Sequence, residues 1–188
     1  MKLKIKCSIA IIPSQEVCIL VDNVKKELFK KIGWFNSVNS KAHITISEFE
    51  STEDEAMIII NKVKTIAEMI EPIQVSFENY NSFLNGAFYI SPEEISKHRL
   101  KKIMKCFHIA TKSISKVYKN SEPHITIGRK LEEKKLKIAL ENFTSIEFSF
   151  NCEAVSIRIY DRKIQQYITT ETFSFDNNPK NTIQTSLF

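Results

Sequence analysis

Two stretches decide the fold: KAHITIS at 41–47 and EPHITIGR at 122–129. They share the tetrapeptide HITI, opened by His43 and His124, 81 positions apart. The chain has 4 His in all, and two of them begin this pattern. Ordinary residue usage would place histidine–apolar–threonine–apolar after about one His in a hundred. Coincidence is a poor account and duplication a good one. Read as strands, each copy puts its polar residues on one side. His43 and Thr45 share a face, about 6–7 Å apart along the chain, with Ile44 and Ile46 on the other. His124 and Thr126 repeat this against Ile125 and Ile127.

Outward from the motifs, the same order of elements appears twice. Before the first copy, residues 3–12 alternate as a strand that ends at Pro13, and residues 15–32 carry Val17, Leu20, Val21, Val24 and Leu28 at helical spacing. After it, Thr52 and Glu55 form a capping box for a helix over about 53–70. Residues 73–78 and 82–91 then read as strands, with a bend at Asn85-Gly86. Ser91-Pro92-Glu93-Glu94 reads as the start of a helix reaching about Ser115. The second copy, at 122–129, is followed by a short helix over 132–142. Three strands, 146–150, 154–160 and 166–175, close the pattern. This is an α+β organisation of two similar lobes, a pseudo-twofold duplication within one domain spanning 1–175. No linker rich in Pro, Gly or Ser parts the lobes, so they should pack intimately around a cleft. Residues 176–188 read as a loose polar tail.

Composition narrows the chemistry. The 188 residues are 43% hydrophobic and 26% charged, as in ordinary globular domains. Only 3 Gly are present, Gly33, Gly86 and Gly128, so no glycine-rich loop can cradle a nucleotide. The net charge of +5 suits small anionic partners better than a long duplex. The 4 Cys, at 7, 18, 106 and 152, show no metal-ligand spacing. They read as reduced thiols, mostly buried, in a cytoplasmic protein. No stretch is long and apolar enough to span a membrane.

If both His–Thr pairs face one cleft, the set suits in-line displacement at a phosphodiester. One oxygen must lose a proton while another gains one across phosphorus. Two imidazoles, titrating near 6.5, can serve as base and acid. Threonine hydroxyls can donate to the non-bridging oxygens as charge builds there. No metal or other cofactor is called for; Glu48 and Glu50 lie near the first motif but have no counterpart at the second. Arg129 and Lys130 follow the second motif and are candidate phosphate ligands. Strict alternation puts Arg129 on the isoleucine face, unless the strand ends near Gly128. Tyr167 is a candidate to stack on a base. His98 and His108, within a helix, read as structural, and Phe83 and Phe88 as core.

The paired motif, its spacing and the repeat across about 3–175 resemble the 2H phosphoesterases, and among them the bacterial 2′-5′ RNA ligase-like proteins. EPHITIGR is similar to the second motif of that family. The resemblance implies two antiparallel sheets facing a central basic cleft, with helices outside. It implies metal-independent hydrolysis or transfer at 2′,3′-cyclic phosphates or 2′-5′ linkages of RNA ends or small nucleotides, by a monomer. It makes His124 the base that activates water, His43 the acid at the leaving ribose oxygen, and Thr45 and Thr126 the phosphate holders. The chain departs from the pattern in two places. Cys7 stands where many relatives carry an aromatic residue, and Gln165-Gln166 precede Tyr167 where many carry glycines. A non-catalytic RNA-end or nucleotide-binding module of the same fold is the alternative expectation.

Overall fold

The computed structural model describes residues 4–178. Its elements run β1 (Ile5–Ile11), α1 (Gln15–Ile32), β2 (Ile44–Ser51), α2 (Glu53–Met69), β3 (Ile73–Ser82), β4 (Phe88–Pro92) and α3 (Glu94–Ala110). They continue with β5 (Val117–Lys119), β6 (Ile125–Gly128), α4 (Glu133–Asn142), β7 (Glu147–Cys152), β8 (Ala154–Asp161) and β9 (Gln166–Ser174). Two antiparallel sheets form, ordered β5-β2-β1-β8-β9 and β6-β4-β3-β7. They face a central cleft, with the four helices outside.

The expected duplication is visible in this order. β1-α1-β2-α2 matches β4-α3-β6-α4, and β2 lies beside β1 as β6 lies beside β4. The outer strands are exchanged along the chain. β3 follows the first unit but joins the second sheet, while β8 and β9 return from the chain end to complete the first.

Apolar periodicity drives each element onto the core. Val17, Val21, Val24 and Leu28 of α1 are buried where that helix packs on β6 and α4, while α2 and α3 cover the first sheet, in which Ile9, Ile11, Ile44 and Ile46 are fully buried. α2 begins with the expected capping box, in which Thr52 Oγ1 accepts from the Glu55 N–H and the Glu55 carboxylate accepts from the Thr52 N–H. Beneath the second sheet, Phe77 stacks between Phe148 and Phe150, at centroid distances of 5.4 and 5.9 Å.

Three sequence expectations are corrected. α3 starts at Glu94 with Glu93 as cap, because Ser91 and Pro92 are the last residues of β4; the Ser91 hydroxyl donates to the Glu78 carbonyl instead. The helix stops at Ala110, and the three-residue strand β5 follows, pairing with β2. The 82–91 strand is a hairpin: β3 extends to Ser82, and residues 83–87 turn the chain into β4. Gly86 is needed in that turn. Its φ is +79°, and an added Cβ would meet the Leu131 carbonyl oxygen at 2.5 Å.

All four cysteines are free; Cys7 and Cys152 are buried, Cys18 half-buried, and Cys106 exposed. Phe175 is buried, and the backbone N–H groups of Asn177 and Asn178 donate to the Ile70 and Glu68 carbonyls at the end of α2. The rest of the expected polar tail lies outside the described residues. Among those residues, no helix is long and apolar enough to cross a membrane.

Candidate active site

Each motif histidine stands one residue before its strand, His43 before β2 and His124 before β6. Both rings are fixed in the same way. Nδ1 of His43 lies 2.7 Å from the Lys41 carbonyl, and Nδ1 of His124 lies 2.7 Å from the Glu122 carbonyl. A carbonyl can only accept, so Nδ1 carries the hydrogen in both rings. Nε2 is left as the working nitrogen of each.

The strands that follow are both bulged, and at the same place. Ala10 pairs with Thr45 and Ile9 with Ser47, so Ile46 is the extra residue of β2. Tyr89 pairs with Thr126 and Phe88 with Gly128, so Ile127 is the extra residue of β6. A bulge resets the alternation of faces. Glu48, opposite Ser8, therefore returns to the side of Thr45. In the same way Arg129 returns to the side of Thr126: β6 ends at Gly128, the condition under which the sequence allowed Arg129 to leave the isoleucine face.

The two bulges are braced from across the molecule. The Ile46 carbonyl accepts from the Asn120 N–H at 3.0 Å and from His108 Nε2 at 3.1 Å. The Asn120 side-chain amide donates to the Thr45 and Glu122 carbonyls, at 2.9 and 3.0 Å. Conversely, the Ile127 carbonyl accepts from the Ser37 hydroxyl at 3.0 Å, and the Arg129 N–H donates to the Asn36 carbonyl at 3.1 Å. The segment leading to each motif thus holds the bulge of the other. Buried Lys25 of α1 ties down the 37–40 segment, its ammonium donating to the Ser37 carbonyl, the Ser40 carbonyl and the Ser40 hydroxyl. Burial lowers the Lys25 pKa to about 8.

Electrostatics distinguish the two histidines. Burial pushes His43 well below its usual value, and the nearby cations Arg158, Lys25 and Arg129 push the same way against the Lys41 carbonyl bond. Burial also lowers His124, but there the Glu122 carbonyl bond and carboxylate oppose it. Arg158, on β8, is itself buried; burial lowers it to about 10, so it stays charged at neutral pH.

Of the other residues singled out from sequence, Tyr167 lies with its ring over the Arg158 guanidinium, 5.2 Å from its centroid, and edge-on to Tyr160. Arg129 is exposed and within electrostatic range of His43. Lys130 is exposed with φ at 53°, and no hydrogen bond or ion pair ties it to the motifs among the described residues. Phe88 is core, but Phe83 is not. It stacks on Tyr89 at 4.2 Å, and both rings contact His124, at 5.2 and 5.1 Å. His108 is structural as expected, through the Ile46 carbonyl. Sequence reading missed Arg158, Asn120 and Tyr89. Arg158 is one of only four arginines, which is the one signal that marks it.

The family model of the 2′-5′ RNA ligase superfamily matches residues 14–164. The chain belongs to the 2′-5′ RNA ligase superfamily, a group of 2H phosphoesterases. Solved structures of similar fold agree. LigT of E. coli in complex with 3′-AMP superposes at a TM-score of 0.68 with 12% identity, over 92% of this chain and 98% of that one. TT0787 of Thermus thermophilus gives 0.68 with 17% identity, over 92% and 99%. Usb1 of Kluyveromyces marxianus gives 0.55 with 10% identity, over 91% and 97%. LigT has also been solved with ATP and with NADP+. Among curated protein sequences, none matches the chain significantly. At these identities the superfamily's fold is shared, while the site is set by this chain's own residues.

Proposed function

We propose that the chain is a metal-independent phosphodiesterase acting on 2′,3′-cyclic phosphate or 2′-5′ linked RNA ends or nucleotides. The observation that carries this reading is the matched fixing of two imidazoles, each with Nδ1 spent on a backbone carbonyl and Nε2 without a hydrogen-bond partner among the described residues. Binding alone would need neither the tautomer nor its repetition. In the proposed step, His124 Nε2 takes a proton from water as its oxygen attacks phosphorus. The bond from phosphorus to one ribose oxygen breaks, and that oxygen takes the proton of His43 Nε2. Thr45, Thr126 and Arg129 supply donors and charge to the non-bridging oxygens. Tyr167 offers a ring beside the base.

The cations around His43 favour its neutral form before substrate arrives. A bound phosphate anion offsets that field and lets His43 hold the proton it must give away.

The test is hydrolysis in the presence of chelator, comparing a 2′,3′-cyclic nucleotide with a diester whose leaving group is p-nitrophenolate. His43→Ala and His124→Ala should each lose about a hundred- to ten-thousand-fold on the cyclic nucleotide. The nitrophenolate leaves without a proton, so it should restore much of the activity of His43→Ala and little of His124→Ala. Rescue of the opposite variant would exchange the two roles. Binding of nucleotides without turnover would assign the chain to a binding module instead.

A further inference from the structure

The cleft side of the five-stranded sheet carries two adjacent rows of side chains set by strand register. Thr45, Ala10 and Ser156 face one another across β2, β1 and β8, and so do Glu48, Ser8 and Arg158. Adjacent rows on one face lie about 6–7 Å apart. That is the span from a ribose phosphate to its own base, so a phosphate at Thr45 puts a base over the second row.

The second row holds an unusual pair. Arg158 is only 5% exposed. One terminal nitrogen, Nη2, donates to the Ser8 hydroxyl at 2.8 Å, but Nε is buried with no partner among the described residues. No carboxylate lies within ion-pair distance of it among the described residues. Tyr167 covers the guanidinium plane. Glu48, at the other end of the row, also makes no ion pair among the described residues. Strand β1 keeps the two charges apart, with their backbones two strand spacings, about 9.6 Å, from each other. Glu48 supports the Arg158 charge from that distance but gives it no hydrogen bond; an unsatisfied buried donor group is costly, and a ligand that brings acceptors to the guanidinium offsets the cost.

The ligand must present acceptors at one end and donors at the other. A second phosphate would suit Arg158 but be repelled by Glu48. A nucleobase meets both demands, and guanine meets them best. Its O6 and N7 form a two-acceptor edge that an arginine fork matches. Its N1–H and N2–H form a two-donor edge that a carboxylate matches in the same bidentate manner. Adenine, cytosine and uracil offer no two-donor edge.

We infer that Arg158 and Glu48 form a guanine-reading subsite beside the phosphate site, Arg158 donating to O6 and N7 and Glu48 accepting from N1–H and N2–H. The placement of the phosphate rests on the phosphodiesterase reading; the binding test below does not.

Dissociation constants of the full chain are measured by calorimetry for guanosine, inosine, adenosine, cytidine and uridine 3′-monophosphates, alongside kcat/KM for the 2′,3′-cyclic guanosine and adenosine compounds. Guanosine should bind at least about tenfold more tightly than adenosine. Inosine lacks only the N2 amino group and should fall between them, a comparison that needs no variant to fold. Glu48→Gln, with its circular dichroism checked, should bring the guanosine-to-adenosine ratio toward one. Affinities within about twofold across all bases would overturn the subsite. So would a guanosine preference unchanged in Glu48→Gln, or a preference set by an added 5′-phosphate whatever the base. Guanosine-selective binding without turnover would remove the phosphodiesterase reading and leave the subsite. Turnover without base preference would do the reverse.

Discussion

A single backbone contact decides the chemistry open to each histidine. With Nδ1 donating to the carbonyl two residues back, the ring can neither rotate nor exchange tautomers without losing that bond. Both rings are also held below their usual titration range, His43 the further. The proposed step needs one proton shared between the pair. Once pH exceeds both pKa values, the singly protonated pair becomes scarcer in proportion to proton concentration. For the cyclic nucleotide, kcat/KM should therefore fall about tenfold per pH unit above pH 7, and a profile rising from 7 to 8 would contradict this. The same shifts bear on folding. Unfolded histidines titrate near 6.5 and take up protons that the folded ones refuse. Stability should hold above that value and decline as pH drops below it, until the folded rings are protonated too. Urea midpoints at pH 7.5 and 5 would show the decline, and it should be smaller in His43→Gln.

At the scale of the element, the bulges at Ile46 and Ile127 matter most. Each turns an ordinary strand into one that presents His, Thr and a third residue on the same side. Asn120 holds the first with two hydrogen bonds, from its backbone N–H to Ile46 and from its amide to Thr45, and the same amide also donates to the Glu122 carbonyl beside the second histidine. Asn120→Ala removes both amide donations and the bond its Oδ1 accepts from the Glu122 N–H, and takes the side-chain donor from the Thr45 carbonyl, at a cost of about 1–3 kcal/mol. Turnover should drop more than stability alone explains, chiefly in kcat, and Asn120→Asp should not restore it because a carboxylate cannot donate. Wild-type kcat in Asn120→Ala would mean that the bulge sustains itself. The sequence made the strands, the capping box at Thr52 and the motif pair legible, because each follows from spacing or from a local hydrogen bond. It did not make the bulges legible, since alternation is read on the assumption that no residue is skipped. That is why strict alternation places Arg129 on the wrong face. Arg158 was hidden for a different reason: in a strand, a buried cation alternates just as an exposed one does, and only its neighbours across β1 and β9 reveal it. Strand β5 is too short to carry a pattern.

Over the whole molecule, the lobes of the duplication are not separable units. Strands β8 and β9 reach the first sheet from the end of the chain, and without them β1 has an open edge. A chain ending at Cys152 should therefore fail to give a folded first lobe, seen as loss of cooperative thermal unfolding, despite carrying every motif residue. Recovery of a cooperative transition in that fragment would show that the lobe stands alone. The crossed braces add a longer-term consequence. Ser37, which precedes the first histidine, steadies the strand after the second, and Asn120 does the reverse. Drift in one half is felt first in the other, so neither copy is free to diverge by itself. Descendants of this chain should change the two halves together or lose both at once.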